Sequence, residues 1–286
     1  MAPVDAVPHD ATMNEAPAAA TTPVRQPAPA RSRDGNRLLT VGALVIAAVW
    51  AVAVTSWHPD GFRAGLLLRS VPFALALPAL VASVIAGGGV WRRPAHLTPA
   101  GGSRLRAPAG PALGWFVAAE ILVLVSLLVP VLAGGWFADP EAPEGVRYAL
   151  LALDVALVGV TVLLVGTLAL GGVHGRPHVD LTPSAIEVRD LFGRWTIPWE
   201  AVRPGTPARQ TSGRVLRLTV DRPELVTRRG LTLGTRTRPT LTLTWLRVHP
   251  WFLADALRWF VDQPEQRAGI GTPEGCAELR RALGQN

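Results

Sequence analysis

Two acidic residues, Glu120 and Asp154, stand inside otherwise apolar runs. An ionised carboxylate in hydrocarbon is costly, so each marks an ion path, a proton relay or a buried pair. Their placement argues against a coupled pair. Asp154 falls about six residues from the outer end of its run, within reach of the interface and of Arg69 at the start of an earlier run, whereas Glu120 falls about a third of the way in from the opposite end. Arg69, Glu120 and Asp154 are read as intramembrane polar sites used in packing or pairing, with an ion or proton path as the alternative.

His174 and His178 have the i, i+4 spacing of helical metal sites, but Gly175 and Pro177 intervene and spoil a shared helical face. No G-x-S-x-G, Walker loop, H-E-x-x-H or C-x-x-C occurs, and the Gly87-Gly88-Gly89 run lacks the strand–turn–helix setting of a phosphate loop. The single cysteine, Cys276, forbids an internal disulfide and reads as an unreactive structural thiol. No catalytic, cofactor-binding or metal-ligating residue is assigned, so the expectation is a protein that is not an enzyme and carries no cofactor.

A third group is basic. Arg228, Arg229, Arg236 and Arg238 cluster around an expected hairpin in a segment, 174–286, that holds 17 arginines against 11 acidic residues. Beside an anionic leaflet each arginine can contribute about 1 kcal/mol. The competing reading is a solvated sheet edge guarded by charge. Nucleic acid is not the expected partner, because no aromatic stacking platform accompanies the charges.

The elements that position these residues follow from the apolar pattern. Charged residues make up only 17% of the 286 residues, and the mean hydropathy is +0.28, values of a membrane protein. All the basic side chains are arginine; the net charge of +7 contains no lysine, as in chains from GC-rich genomes. Residues 1–36 are rich in Pro, Ala and Thr without apolar periodicity and read as a disordered tail. Residues 37–173 hold four runs, 38–57, 71–91, 113–137 and 148–172, each near the roughly 20 residues a helix needs to cross a bilayer. Trp57, Trp91, Trp115, Trp136, Phe137 and Tyr148 mark run ends as interfacial anchors. Arginines crowd before the first run and between the second and third, which predicts both termini on the cytoplasmic side of a cell membrane. Ala152, Ala156, Gly159 and Gly166 form a small-residue stripe on the fourth span, read as close packing inside the bundle or as a homodimer contact.

From 174 onward the period changes. Strands are expected over 178–182, 185–191, 194–199, 214–220, 225–233 and 240–248. Pro250 opens a helix with apolar residues at helical spacing to 262, and a shorter helix covers about 273–283. The fold class is therefore a four-helix membrane domain followed by an α+β domain, an antiparallel sheet of six or seven strands closed by a helix. Residues 175–286 should fold alone, with Trp199, Trp245, Leu257 and Phe260 in one core.

On these residues the segment resembles the bacterial PH-like domains found on multi-span membrane proteins. The resemblance is carried by Leu181-Thr182-Pro183, the short strand 186–189, the Phe192-Gly193 turn and Ile197-Pro198-Trp199. The helix followed by residues 267–272 is similar to the tail of such proteins in actinobacteria. It implies a partly open barrel capped by a helix. The loop between the first two strands, about 182–185, holds no cation, so phosphoinositide binding at the usual PH site is not expected. Residues 93–99 echo 176–183, both ending in Leu-Thr-Pro, as either a shrunken duplication or chance. The resulting expectation is a non-enzymatic membrane protein that anchors a PH-like interaction domain for a protein partner or for the anionic surface. The alternative is a small transporter or channel component in which that domain regulates.

Overall fold

The computed structural model describes residues 30–56, 62–132, 143–210 and 212–284. Within these, α1 (Ala30–Ser56), α2 (Phe62–Gly88), α3 (Pro111–Leu132) and α4 (Glu144–Val173) are long and apolar enough to cross a membrane. The tail expected over 1–36 lies outside the described residues up to residue 29, and from Ala30 the chain is helical. The anchors Trp57, Trp136 and Phe137 also lie outside them.

α3 is the central helix, touching α1, α2 and α4. Its first turns carry small residues, and their lack of bulk brings the neighbours in: a Cβ on Gly114 would lie 2.6 Å from Asn36 Oδ1. Polar side chains then tie the ends together. Asn36 Nδ2 donates to the Gly110 carbonyl at 3.1 Å, and Ser83 Oγ donates to the Ala112 carbonyl at 3.0 Å. Gly172 of α4 lies against Thr40 of α1. The start of α1, the end of α2, the start of α3 and the end of α4 thus meet in one layer.

The connection between α2 and α3, expected to be a loop, contributes two strands. β1 (Thr98–Pro99) and β2 (Leu105–Ala107) form a hairpin, and β2 runs antiparallel to β3 (His178–Leu181) with Arg106 opposite Asp180. The sheet continues through β4 (Ala185–Arg189) and β5 (Gly193–Pro198) to β7 (Thr227–Gly230), while β6 (Val215–Arg217) and β8 (Thr240–Thr242) pair separately. Each Leu-Thr-Pro leads into a hairpin of the same sheet. At the second, Thr182 Oγ1 accepts the Ala185 N–H at 3.0 Å and donates to the Ala185 carbonyl at 2.8 Å, closing the turn.

The core of this part lies between the sheets and α5 (Pro250–Asp262), followed by α6 (Pro273–Ala282). Trp195, Trp199, Ile197, Leu257 and Phe260 are fully enclosed, and Trp199 Nε1 satisfies its donor on the Thr182 carbonyl at 2.7 Å. Trp245 departs from the expected core. The strand stops at Thr242, residues 244–245 turn, and the Trp245 ring leaves Leu241 and Leu243 to pack on the bundle, 4.8 Å from Phe116. The long strand expected over 225–233 is also cut to four residues, because Gly230 takes a φ of 73° and turns the chain.

β2, held between β1 and β3, also brings a charge. Arg106 donates twice to Asp180, at 2.6 and 2.7 Å, and the Asp180 side chain is only 1% exposed. Residues 175–286 cut from the chain lose both strands and this partner, so the expectation that they fold alone meets a physical obstacle. Arg106→Ala, which strands a buried carboxylate, should cost about 3–5 kcal/mol of stability in detergent. Arg189→Ala removes a long, partly exposed contact to Glu187 of 3.8 Å and should cost about 1 kcal/mol or less. Leu257→Ala should cost about 2–5 kcal/mol. Thermal denaturation of the three variants measures the ranking.

Candidate membrane-facing site

The turn between β4 and β5 is short, and its residues divide the work. The Asp190 N–H donates to the Gly193 carbonyl at 2.8 Å and closes the turn. Leu191 then points at the bundle: a Cβ on Gly171 would meet its Cδ2 at 2.6 Å, so the bare glycine near the end of α4 leaves room for it. Phe192 follows, and its carbonyl accepts the Leu231 N–H at 3.0 Å. The apolar side chains at this end are open to the outside: Phe192 is 45% exposed, Leu231 76% and Leu233 57%.

The four arginines singled out from sequence border this tip in different roles. The Arg228 guanidinium lies 5.3 Å over the Trp195 ring and donates to the Thr232 carbonyl at 2.9 Å, which commits it to the fold. Arg229 stands opposite Arg194 across the β5–β7 ladder, both exposed. Arg236 and Arg238 sit on a hairpin closed by the Gly234–Pro239 bridge, just after Leu233, and are exposed. Three of the four are thus exposed and in no ion pair among the described residues, with Arg194 across the ladder from Arg229 and the three apolar residues on the same segments. Sequence reading missed Leu231 and Leu233 because it made 225–233 one strand; the bracketing Gly230 and Gly234 were the available signal.

The intramembrane group is not assembled. Glu120 is half-buried on α3, about 13 Å along the helix from Pro111, whereas Asp154 is buried on α4, about 28 Å from Val173. The two carboxylates differ in height by about 15 Å. Asp154 Oδ1 has no hydrogen-bond partner among the described residues. Arg69 lies on α2, and its side chain is outside the described residues.

The histidines separate as well. His174 Nδ1 contacts the Leu170 carbonyl at 2.8 Å and His178 Nδ1 the Gly175 carbonyl at 3.3 Å. Among the described residues no group of three or more His, Cys, Asp or Glu side chains is placed to hold a metal. Burial pushes the Cys276 thiol up, away from the reactive thiolate. The stripe of Ala152, Ala156, Gly159 and Gly166 faces away from the bundle; α4 covers Asp154, Thr161 and Leu168 instead.

Asp190, one residue before the Gly171 contact, is electrostatically expensive. Burial raises its carboxyl to about 6, and Oδ2 is buried with no partner among the described residues. The folded protein thus holds a proton between pH 3.8 and about 6 that the unfolded chain releases, so stability falls as pH rises through that window and the cost persists above it. His178, which burial lowers to about 4, acts in the opposite sense, losing stability as pH falls from 6.5. Asp190→Asn should therefore stabilise the protein at pH 7.5, by on the order of 2 kcal/mol, with the gain vanishing near pH 4. Melting curves of variant and parent at each pH cancel the His178 contribution; a gain independent of pH contradicts the assignment.

A family model described as a bacterial PH domain matches residues 176–248, which covers β3 to β8 and leaves out β1, β2 and α5. No curated protein and no solved structure matches the chain. The chain thus combines four helices apolar enough to span a membrane with a segment, residues 176–248, that matches the bacterial PH domain, and the connection between α2 and α3 contributes two strands to that segment's sheet.

Proposed function

We propose that this is a non-enzymatic integral membrane protein that fixes a PH-like domain against the cytoplasmic face of the bacterial plasma membrane, where the domain engages the anionic lipid surface. The observation that carries the reading is the tip beside α4. Leu191 is seated on Gly171, and Phe192, Leu231 and Leu233 stand exposed among Arg194, Arg229, Arg236 and Arg238. Apolar side chains ringed by arginines at the end of a spanning helix suit an interface in which the leucines enter the acyl boundary and the arginines meet headgroups. The arginines at residues 92, 93, 104 and 106, set against the acidic 139–145 connection, support a cytoplasmic position for this layer.

The reading is tested with a polarity-sensitive fluorophore at Leu231→Cys in a Cys276→Ser background. In liposomes containing phosphatidylglycerol the probe should shift to the blue and be quenched by lipids brominated near the headgroup. Arg229→Gln/Arg236→Gln/Arg238→Gln should weaken both signals. A probe that stays in water would overturn the proposal. For orientation, Asp60→Cys should react with an impermeant thiol reagent in intact cells and Pro264→Cys only after permeabilisation.

A small transporter or channel component is the second reading, and the Oδ1 of buried Asp154, without a partner among the described residues, favours it. On the first reading wild-type proteoliposomes show no ion flux above empty ones. A flux lost in Asp154→Asn promotes the second.

A further inference from the structure

A cavity of about 260 Å³ opens where the helices meet the sheet, between the end of α2, the first turn of α3 and the 244–247 turn. Arg92, Arg93 and Arg247 line it, and among the described residues no acidic side chain does. Arg93 is already committed. Its guanidinium donates to the Thr244 and Leu246 carbonyls at 2.7 Å each, to the Leu243 carbonyl at 2.5 Å and to the Gly87 carbonyl at 3.2 Å. Arg92 and Arg247 are exposed and enter no ion pair among the described residues. Two exposed arginines therefore border a hollow whose third wall, Pro111 and Ala112, is the positive end of a 22-residue helix.

The surroundings say what kind of anion fits. Below the cavity, the last turns of α2 present Val81, Val84 and Ile85, which are 49, 66 and 74% exposed, as an apolar track. Beside it, Trp91 packs edge-to-face 5.0 Å from Trp251 and lies tilted 5.7 Å from His249, the kind of aromatic cluster that sits at headgroup level. The positive field extends around the rim: His96 is pushed below its ordinary value by burial and then by Arg247 and Arg280. Basic pockets at the ends of spanning helices are suited to lipid phosphates. Building on the proposed membrane placement, we infer that this cavity is a binding site for the phosphate of an anionic glycerophospholipid, held by Arg92 and Arg247 with an acyl chain along Val81 and Ile85. It is separate from the usual PH-domain loop at 182–184, which holds no cation.

The test uses the full chain, delipidated in detergent, with native mass spectrometry to count bound phosphatidylglycerol, phosphatidylcholine or inorganic phosphate. Phosphatidylglycerol should be retained and not displaced by equimolar phosphatidylcholine, and inorganic phosphate should bind far more weakly. Arg92→Gln/Arg247→Gln should weaken phosphatidylglycerol binding by roughly tenfold or more, while Arg222→Gln/Arg281→Gln, at exposed arginines elsewhere, should leave it unchanged. Equal binding by parent and Arg92→Gln/Arg247→Gln overturns the site. Inorganic phosphate binding as well as the lipid overturns its assignment to lipid. The Leu231 probe separates this outcome from the broader reading: a membrane-embedded tip with an indifferent cavity sinks only the cavity, and a hydrated tip with Arg92-dependent lipid binding sinks only the tip.

Discussion

Asp180 is a carboxylate with almost no contact with solvent, and the cation that neutralises it arrives from the connection between α2 and α3. A buried carboxylate without a partner is among the costlier defects a fold can carry. The Arg106 pair therefore requires β2 to lie on β3, and the rest of the junction is consistent with that demand. Once β2 is docked, Ala109 bridges to Leu246, the Gly110 N–H reaches the Trp245 carbonyl at 2.6 Å, and α3 starts directly beneath the sheet. Arg93 fastens the other end by gathering carbonyls from α2 and the 243–246 turn. The PH-like domain is thus built onto the bundle through the chain that leaves and re-enters it.

That arrangement explains why the tip and the cavity occupy the same layer. Leu191 on Gly171 and Trp245 on Phe116 are two footholds of the sheet on the helices. The Asp190 carboxyl, raised to about 6 by burial, shows that the first foothold is held at an electrostatic cost. Such a cost is tolerated where packing on either side fixes the turn. A domain held this way keeps its exposed leucines and arginines at a fixed position relative to the helices, which a tethered module does not.

Much of the fold was legible in the residues. The helix over 250–262 matches the expected bounds because Pro250 starts it and the apolar spacing is strong. The hairpin from β3 to β5 follows from alternation and from the Thr182 turn. β1 and β2 were not legible, since two- and three-residue strands carry no measurable period and the pairing that joins β2 to β3 lies more than 70 residues away in sequence. Trp245 looked like a core residue because Leu241, Leu243 and Trp245 alternate, and only the turn at 244–245 redirects it. The arginine group was visible by composition, but Arg228's commitment to Trp195 and the exposure of Leu231 and Leu233 depend on a break at Gly230.

The account stands on the pairing of β2 with β3. In a Cys276→Ser background reconstituted in lipid, Ala107→Cys/Val179→Cys places thiols at directly opposed ladder positions, a separation that a disulfide can close. Glu187→Cys/Thr196→Cys, opposed across β4 and β5, serves as the control. Mild oxidation should cross-link both pairs with similar yield. Efficient cross-linking at 187 and 196 with none at 107 and 179 would mean that the α2–α3 connection is not part of the sheet, and would contradict the account.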